Sequence, residues 1–150
     1  MPDNVSGALA SVSGIGSLRW LVRLYRRDQE PAAGGGIAER FNLIAKVQAD
    51  VQPTYPSTHY LSAQVDTPVT HLIRVRWQDY LENVNVITRR THRPSDQTIR
   101  AELFRVRRTK EIAGRKRFIE LECELERTAT ATSDSDAEDE LLFAESPTIN

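Results

Sequence analysis

Hydrophobic and polar residues alternate in several stretches of this chain, and a period of two is typical of a β-strand with one buried face. The clearest stretch lies late in the sequence, where the chain alternates hydrophobic residues with glutamates: Ile119, Leu121, Cys123 and Leu125 against Glu120, Glu122, Glu124 and Glu126. We predict a strand that buries its hydrophobic face and turns its glutamates to solvent or to a partner. This interpretation is favoured over a catalytic carboxylate pair.

Five further stretches carry strand patterns of different strength. They are Leu18–Arg27, Phe41–Val51, His71–Trp77, the short apolar Val84–Ile87, and Thr98–Thr109. In the second of them one face is predicted to hold Leu43, Ala45, Val47, Ala49 and Val51, although the same letters also permit a helix. In Thr98–Thr109 we expect Phe104 and Val106 to point inward and Arg105 and Arg107 outward.

Turn and loop signals separate these stretches. Gly34–Gly36 lies between the first two, and Lys110–Lys116, which contains Gly114, has the composition of a hairpin turn. Gln52–Pro68 contains three prolines, and proline is poorly suited to a central strand. We therefore predict a long loop over Gln52–Pro68, and loops of this length are usually functional or disordered.

The fold class predicted from these elements is all-β: a small antiparallel β-barrel or sandwich with a long inter-strand loop and extended N- and C-terminal arms. Residues 1–17 are small and polar and are predicted to form a flexible N-terminal arm. Residues 18–126 form the barrel domain, and residues 127–150 form an acidic, disordered C-terminal tail. Within that tail Leu141, Leu142 and Phe143 form a short apolar patch suited to docking on a partner.

Composition and charge narrow the function further. The net charge of −1 conceals a basic body of +4 and an acidic tail of −5. With one cysteine, Cys123, the chain has no internal disulfide, and it has neither an apolar stretch of membrane-spanning length nor the apolar core of a signal peptide. The three histidines and the cysteine have no zinc-site spacing. We therefore expect a protein of a reducing cytoplasm, without metal or cofactor, that is not an enzyme.

The strongest chemical signal is an arginine-rich segment. Thr88–Arg117 carries a net charge of +8, and arginine recognises phosphate or carboxylate by paired hydrogen bonds. Either contact with a polyanion or ion pairing between subunits would use such a segment. The residues that we expect to make these contacts are Arg89, Arg90, Arg93, Arg105, Arg107, Arg108 and Lys110.

Taken in order, several of these motifs resemble one protein family. A basic first strand and a glycine-rich loop are followed by Val51-Gln52-Pro53, a long loop, and Val69-Thr70-His71. Then come Ile73-Arg74-Val75-Arg76-Trp77, Leu103-Phe104-Arg105-Val106-Arg107, and the closing Arg117-Phe118-Ile119-Glu120-Leu121-Glu122-Cys123. Over residues 18–126 this order resembles the head-tail joining proteins of long-tailed bacteriophages, also called head-closure or stopper proteins.

The resemblance implies a non-enzymatic protein of the virion neck, assembled in the host cytoplasm. It implies a homo-oligomeric ring, a hexamer or a dodecamer, with the portal and adaptor complex above, tail proteins below, packaged DNA in the lumen and no membrane. The loop that would block DNA exit from the channel comprises Gln52, Pro53, Thr54, Tyr55, Pro56, Ser57, Thr58, His59, Tyr60, Leu61, Ser62, Ala63, Gln64, Val65, Asp66, Thr67 and Pro68. Its only formal charge is Asp66, so we expect it to retain DNA by filling the lumen.

Two other functions stay open from the sequence. One is an adaptor or tail-terminator ring of the same connector, which would not need a loop in the lumen. The other is a free nucleic-acid-binding β-barrel, in which the arginine-rich segment contacts backbone phosphates.

Overall fold

Six antiparallel strands and one α-helix make up most of the structure. The computed structural model describes residues 18–54, 69–112 and 117–143. The strands are β1 (Trp20–Pro31), β2 (Ile37–Pro53), β3 (His71–Arg76), β4 (Val86–Arg93), β5 (Thr98–Ile112) and β6 (Phe118–Ala131). A short 3-10 helix, Asp79–Asn83, precedes β4, and the helix α1, Asp134–Phe143, follows β6.

The strands close into a barrel in the order β1-β2-β3-β6-β5-β4, and β4 pairs back with β1 over Val22–Tyr25. The all-β prediction is confirmed, and the barrel is the form that the chain takes. Closure gives each strand a neighbour on both sides for at least part of its length. The predicted glycine turn joins β1 to β2, with positive φ angles at Gly35 (95°) and Gly36 (81°) that suit glycine.

Neighbouring residues on the strands enter two different cores, one on each side of the sheet. Leu24, Ile87 and Phe104 belong to a cluster to which all six strands contribute, so this inner core fills the barrel. The residues beside them, Tyr25, Val86 and Leu103, belong to an outer core with Ala101, Ala129 and three residues of α1: Ala137, Leu141 and Leu142. The helix therefore covers the outside of the barrel wall over β1, β4, β5 and β6.

A bulge in β2 changes which residues share a face. Leu24 pairs with Ala45 while Tyr25 pairs with Leu43, so Ile44 is an extra residue in β2. The predicted common face is correct from Ala45 to Val51 but wrong for Leu43, which lies outside the barrel with 51% of its surface exposed. One inserted residue reverses the alternation on its far side.

The prediction of a disordered tail after residue 126 is wrong for residues 127–143. Strand β6 continues to Ala131, and Ser133 caps α1 by accepting a hydrogen bond from the Asp136 backbone N–H at 3.2 Å. Leu141 and Leu142, predicted to dock on a partner, are buried against the protein's own barrel. The barrel wall provides the apolar surface that makes this acidic helix stable.

Strand β2 extends two residues into the segment predicted to be a loop. Gln52 and Pro53 are the last residues of β2 and pair with Leu72 and His71 of β3. A proline at this position is tolerated because it ends the strand. Thr54 follows the strand, and residues 55–68 of the predicted loop lie outside the described residues.

Candidate functional site

The glutamates of β6 form ion pairs with arginines on neighbouring parts of the barrel. We predicted that these glutamates face solvent or a partner molecule, but each of them forms an ion pair with an arginine of the same chain. The pairs are Glu120 with Arg74, Glu122 with Arg108, Glu124 with Arg107, and Glu126 with Arg27. This row of ion pairs connects parts of the barrel, and two of its four cations, Arg107 and Arg108, belong to the predicted contact residues.

Arg74 lies at the centre of one such group. It is only 8% exposed, and its guanidinium lies 3.3 Å from Asp50 on β2 and 3.3 Å from Glu120 on β6. One arginine on the short strand β3 thus connects three strands. A second close pair is formed by Arg27, which donates to Glu126 at 2.8 and 3.0 Å and holds the pKa of that carboxyl below its usual range.

Arg89 points into the barrel rather than toward a partner. It donates to Glu102 at 3.0 Å through Nε and 2.6 Å through Nη2, and Glu102 is 6% exposed. The guanidinium also stacks on Trp20, 4.6 Å from the ring centroid. An arginine that is paired and stacked in this way is held inside the fold, so the predicted subunit or polyanion contact of Arg89 would require these interactions to break.

Arg90 belongs to a charged cluster beneath α1. Glu138 of the helix accepts hydrogen bonds from Arg90, from Arg23 at 2.9 Å and from the Tyr25 hydroxyl at 2.5 Å. Burial, and then the hydrogen bond to Glu138, raise the pKa of Tyr25. The sequence pattern does not predict this cluster. Its one signal is a tyrosine among the arginines on the polar face of β1, because a buried tyrosine hydroxyl usually needs a hydrogen-bonding partner.

Four of the seven predicted contact residues are therefore engaged within the chain. These are Arg89, Arg90, Arg107 and Arg108. Among the described residues the other three are exposed and lie within 4 Å of no carboxylate: Arg93, Arg105 and Lys110. Arg105 lines an open polar cavity of about 570 Å³ beside β1. The surface available for an anionic partner is smaller than the net charge of the segment indicates.

The residues that flank 55–68 are joined by hydrogen bonds at one end of the barrel. The Thr54 backbone N–H donates to the Thr70 carbonyl at 2.9 Å, and the Thr54 hydroxyl donates to the Val69 carbonyl at 2.9 Å. Thr70 is fixed in turn to β6, because its N–H donates to the Cys123 carbonyl at 2.8 Å and its hydroxyl accepts from the Leu125 N–H at 2.7 Å. Residues 55–68 are therefore flanked by backbone positions, at Thr54 and Thr70, that hydrogen bonds hold in place.

Two residues with potentially reactive side chains, His71 and Cys123, lie beside Thr70. His71 packs edge-on against Phe104, with ring centroids 4.8 Å apart, and its Nδ1 lies 3.0 Å from the Thr70 hydroxyl. Burial lowers the pKa of His71. Burial also raises the pKa of Cys123, which is fully buried on β6 and is therefore held as the thiol. Neither side chain has the exposure that a nucleophile or a general base requires.

In the part of the chain that the structure describes, no helix is long and apolar enough to cross a membrane. In the same residues, no group of three or more His, Cys, Asp or Glu side chains is arranged to hold a metal ion.

Comparisons with known proteins found a matching family and a similar solved structure. A model of the family described as phage head completion protein matches residues 14–126. Among solved structures, the chain is similar to the solution structure of protein SF1141 from Shigella flexneri 2a, with 16% sequence identity and a TM-score of 0.48. That similarity covers 75% of this chain and 96% of the other. None of the curated proteins matches the chain.

Proposed function

Because this chain belongs to the phage head completion protein family, a family of structural proteins of the phage particle, we propose that it closes the DNA-filled head and joins it to the tail. Copies of the chain form a ring, and the loop of residues 54–69 points into the lumen and retains the packaged DNA. The head connector binds one side of the ring, and tail proteins bind the other.

The observation that carries this proposal is the way in which the loop is fastened. A loop that blocks the channel must be held firmly where it joins the barrel, because the packaged DNA presses on it. Here the residues at this junction are Thr54, Val69 and Thr70, which are hydrogen-bonded to one another and to β6. Behind this base lies the closed barrel, with ion pairs that connect β2, β3 and β6. Such a scaffold holds the loop in position, which supports a role in which the loop itself is the working part.

The nucleic-acid-binding alternative receives less support from the side chains. Four of the seven cations proposed for phosphate contact are engaged with carboxylates of the same chain, and Arg89 lies inside the barrel. A phosphate would have to compete with partly buried carboxylates for these arginines. We therefore propose that contact with DNA is steric, through the loop, rather than through the arginine-rich surface.

The experiment that tests this role uses a phage whose copy of the gene is inactivated and resupplied. If the chain closes the head, phage that lack it should produce tail-less heads that have lost their DNA, together with complete free tails. Electron microscopy would show both. Resupply of the full-length chain should restore joined, DNA-filled particles. Heads that remain full beside tails of irregular length would contradict the closure role and would favour a tail terminator.

A further inference from the structure

Strand β2 has an edge that no other described strand covers. On one side β1 pairs with β2 along its length, from Ala49 to Ile37. On the other side β3 pairs only with Ala49–Pro53, because β3 is six residues long. The edge from Ile37 to Gln48, here called the open edge of β2, therefore has no strand partner within residues 18–54, 69–112 and 117–143. Its outward N–H and C=O groups form a template for another extended segment.

The residues of this edge differ from those of the open edge at the end of β5. Beyond Arg105, where the pairing with β4 ends, β5 carries four charged residues: Arg107, Arg108, Lys110 and Glu111. Charged residues on an edge discourage pairing with another chain. The open edge of β2 carries three charged residues, Glu39, Arg40 and Lys46, over its longer span. It also displays Ile37, 70% exposed, and Leu43, 51% exposed, which are two of the three exposed large hydrophobic residues in the described structure.

We propose that the open edge of β2 binds the N-terminal arm, residues 1–17, of a neighbouring copy of this chain as an additional strand. The proposal extends the ring proposed above, because it assigns one contact between adjacent subunits. Main-chain hydrogen bonds along the edge provide affinity, and the hydrophobic side chains beside it select the arm.

The arm has the length and composition that this edge requires. A strand advances about 3.3 Å per residue, so residues 3–17 are enough to follow the edge from one end to the other. After Pro2 the arm contains no proline, and its only charged side chain is Asp3. In an extended conformation Val5, Leu9 and Ile15 project on one side, which allows them to cover Ile37 and Leu43.

The other segments outside the described residues fit the edge less well. Residues 55–68 contain Pro56 and Pro68, and they follow Thr54 at the end of β2 that is opposite to the open edge. Residues 144–150 are fewer than the edge accommodates and contain Pro147. Neither offers an uninterrupted row of backbone donors as long as the open edge.

The position of β1 explains why the arm comes from a neighbour. The arm precedes Leu18, and β1 begins beside Ala49, where β3 already covers β2. The chain's own arm would have to cross β2 to reach the open edge, whereas the arm of another copy approaches it directly. Arm-to-edge contact is a head-to-tail interface, the type that produces a ring when the rotation closes.

Paramagnetic relaxation between two full-length copies tests this contact. One copy, without ¹⁵N, carries a nitroxide on Ser11→Cys, and the other copy is ¹⁵N-labelled and carries no nitroxide. Cys123 is buried and is expected to stay unlabelled. In the mixture we expect selective broadening of the amide signals of residues 37–48 in the ¹⁵N copy. Leu43→Lys in that copy should abolish the broadening, while the matched control Leu21→Lys, on β1 and 56% exposed, should leave it unchanged.

Two outcomes would overturn the proposal. A second sample carries the nitroxide and ¹⁵N in the same chain, and broadening of these signals in that sample alone would mean that the arm binds its own barrel. The other contradicting outcome is no broadening of these signals in the mixture or in the second sample. If Leu43→Lys loses the dispersed spectrum of a folded barrel, Ile37→Lys at the end of the hairpin replaces it. Since this experiment uses no heads, a negative result with normal head closure would remove the arm contact and leave the proposed function standing.

Discussion

Replacement of Leu141 by alanine tests whether α1 is a stable part of the fold. Leu141 is 2% exposed and packs in the outer core with Tyr25, Leu103 and Ala129, on the outside of the barrel wall. A helix of ten residues that carries five carboxylates has little stability of its own. Its folding therefore depends on this contact and on the hydrogen bonds to Glu138.

The expected cost follows from the burial of Leu141. Truncation of a buried leucine to alanine costs about 2–5 kcal/mol, and the cost falls where neighbouring groups can move into the space. Because α1 lies at the surface and can shift toward the wall, we expect the lower part of that range, about 2–3 kcal/mol. In a domain of this size the melting temperature should fall by about 5–10 °C.

Urea denaturation followed by tryptophan fluorescence measures this change in the free energy of unfolding. Glu140→Ala is the matched control, since Glu140 is exposed on the same helix and should change stability by no more than about 0.5 kcal/mol. Equal denaturation midpoints for the two variants would refute the reasoning, because they would mean that α1 contributes no packing to the barrel.

Three other predictions concern the charged groups. Arg74→Ala should lower the free energy of unfolding in urea by about 2 kcal/mol, since it leaves two carboxylates without their shared partner, while the exposed Arg76→Ala changes it by less than about 0.5 kcal/mol; equal losses would contradict the bridging role. Burial lowers the pKa of His71, so the unfolded chain takes up a proton first as the pH falls below 6.5. Stability should therefore decline from pH 7.5 to 5.5, and less steeply in His71→Gln; parallel curves would argue against this. The isolated chain should bind duplex DNA weakly, because only three of the predicted contact residues, Arg93, Arg105 and Lys110, are unpaired within the described structure. The logarithm of the binding constant should therefore fall against the logarithm of the salt concentration with a slope no steeper than about −3. A steeper slope would favour the nucleic-acid-binding alternative.

Alternation was enough to predict the strands whose hydrophobic residues face the inner core. The predicted inward residues of the last strand and the pair Phe104 and Val106 belong to that core. Strand β4 shows why other parts were harder. Its sequence after Ile87 is polar, yet Thr88 is buried and Arg89 points inward, because Glu102 on β5 neutralises it. A partner supplied by a distant strand is not visible in a local pattern.

The C-terminal region illustrates the same limit. From Thr128 onward the sequence is low in apolar residues and rich in acids, which is typical of disorder. The helix forms because the outside of the barrel offers an apolar wall together with Arg23, Arg90 and Tyr25, all of which bind Glu138. Likewise, three of the predicted contact arginines, Arg89, Arg107 and Arg108, pair with carboxylates on neighbouring strands, and a local sequence pattern does not show these pairings.

The closure role is tested most directly by the DNase-resistant DNA content of heads that carry a chain lacking Tyr55–Asp66. Heads are isolated from phage complemented with either this variant or the full-length chain, and the amount of bound protein per head is matched by quantitative immunoblot. Our account predicts that the full-length chain retains the DNA, while the variant binds the heads and loses it. Heads that hold the variant and keep as much DNA as those with the full-length chain would contradict the account.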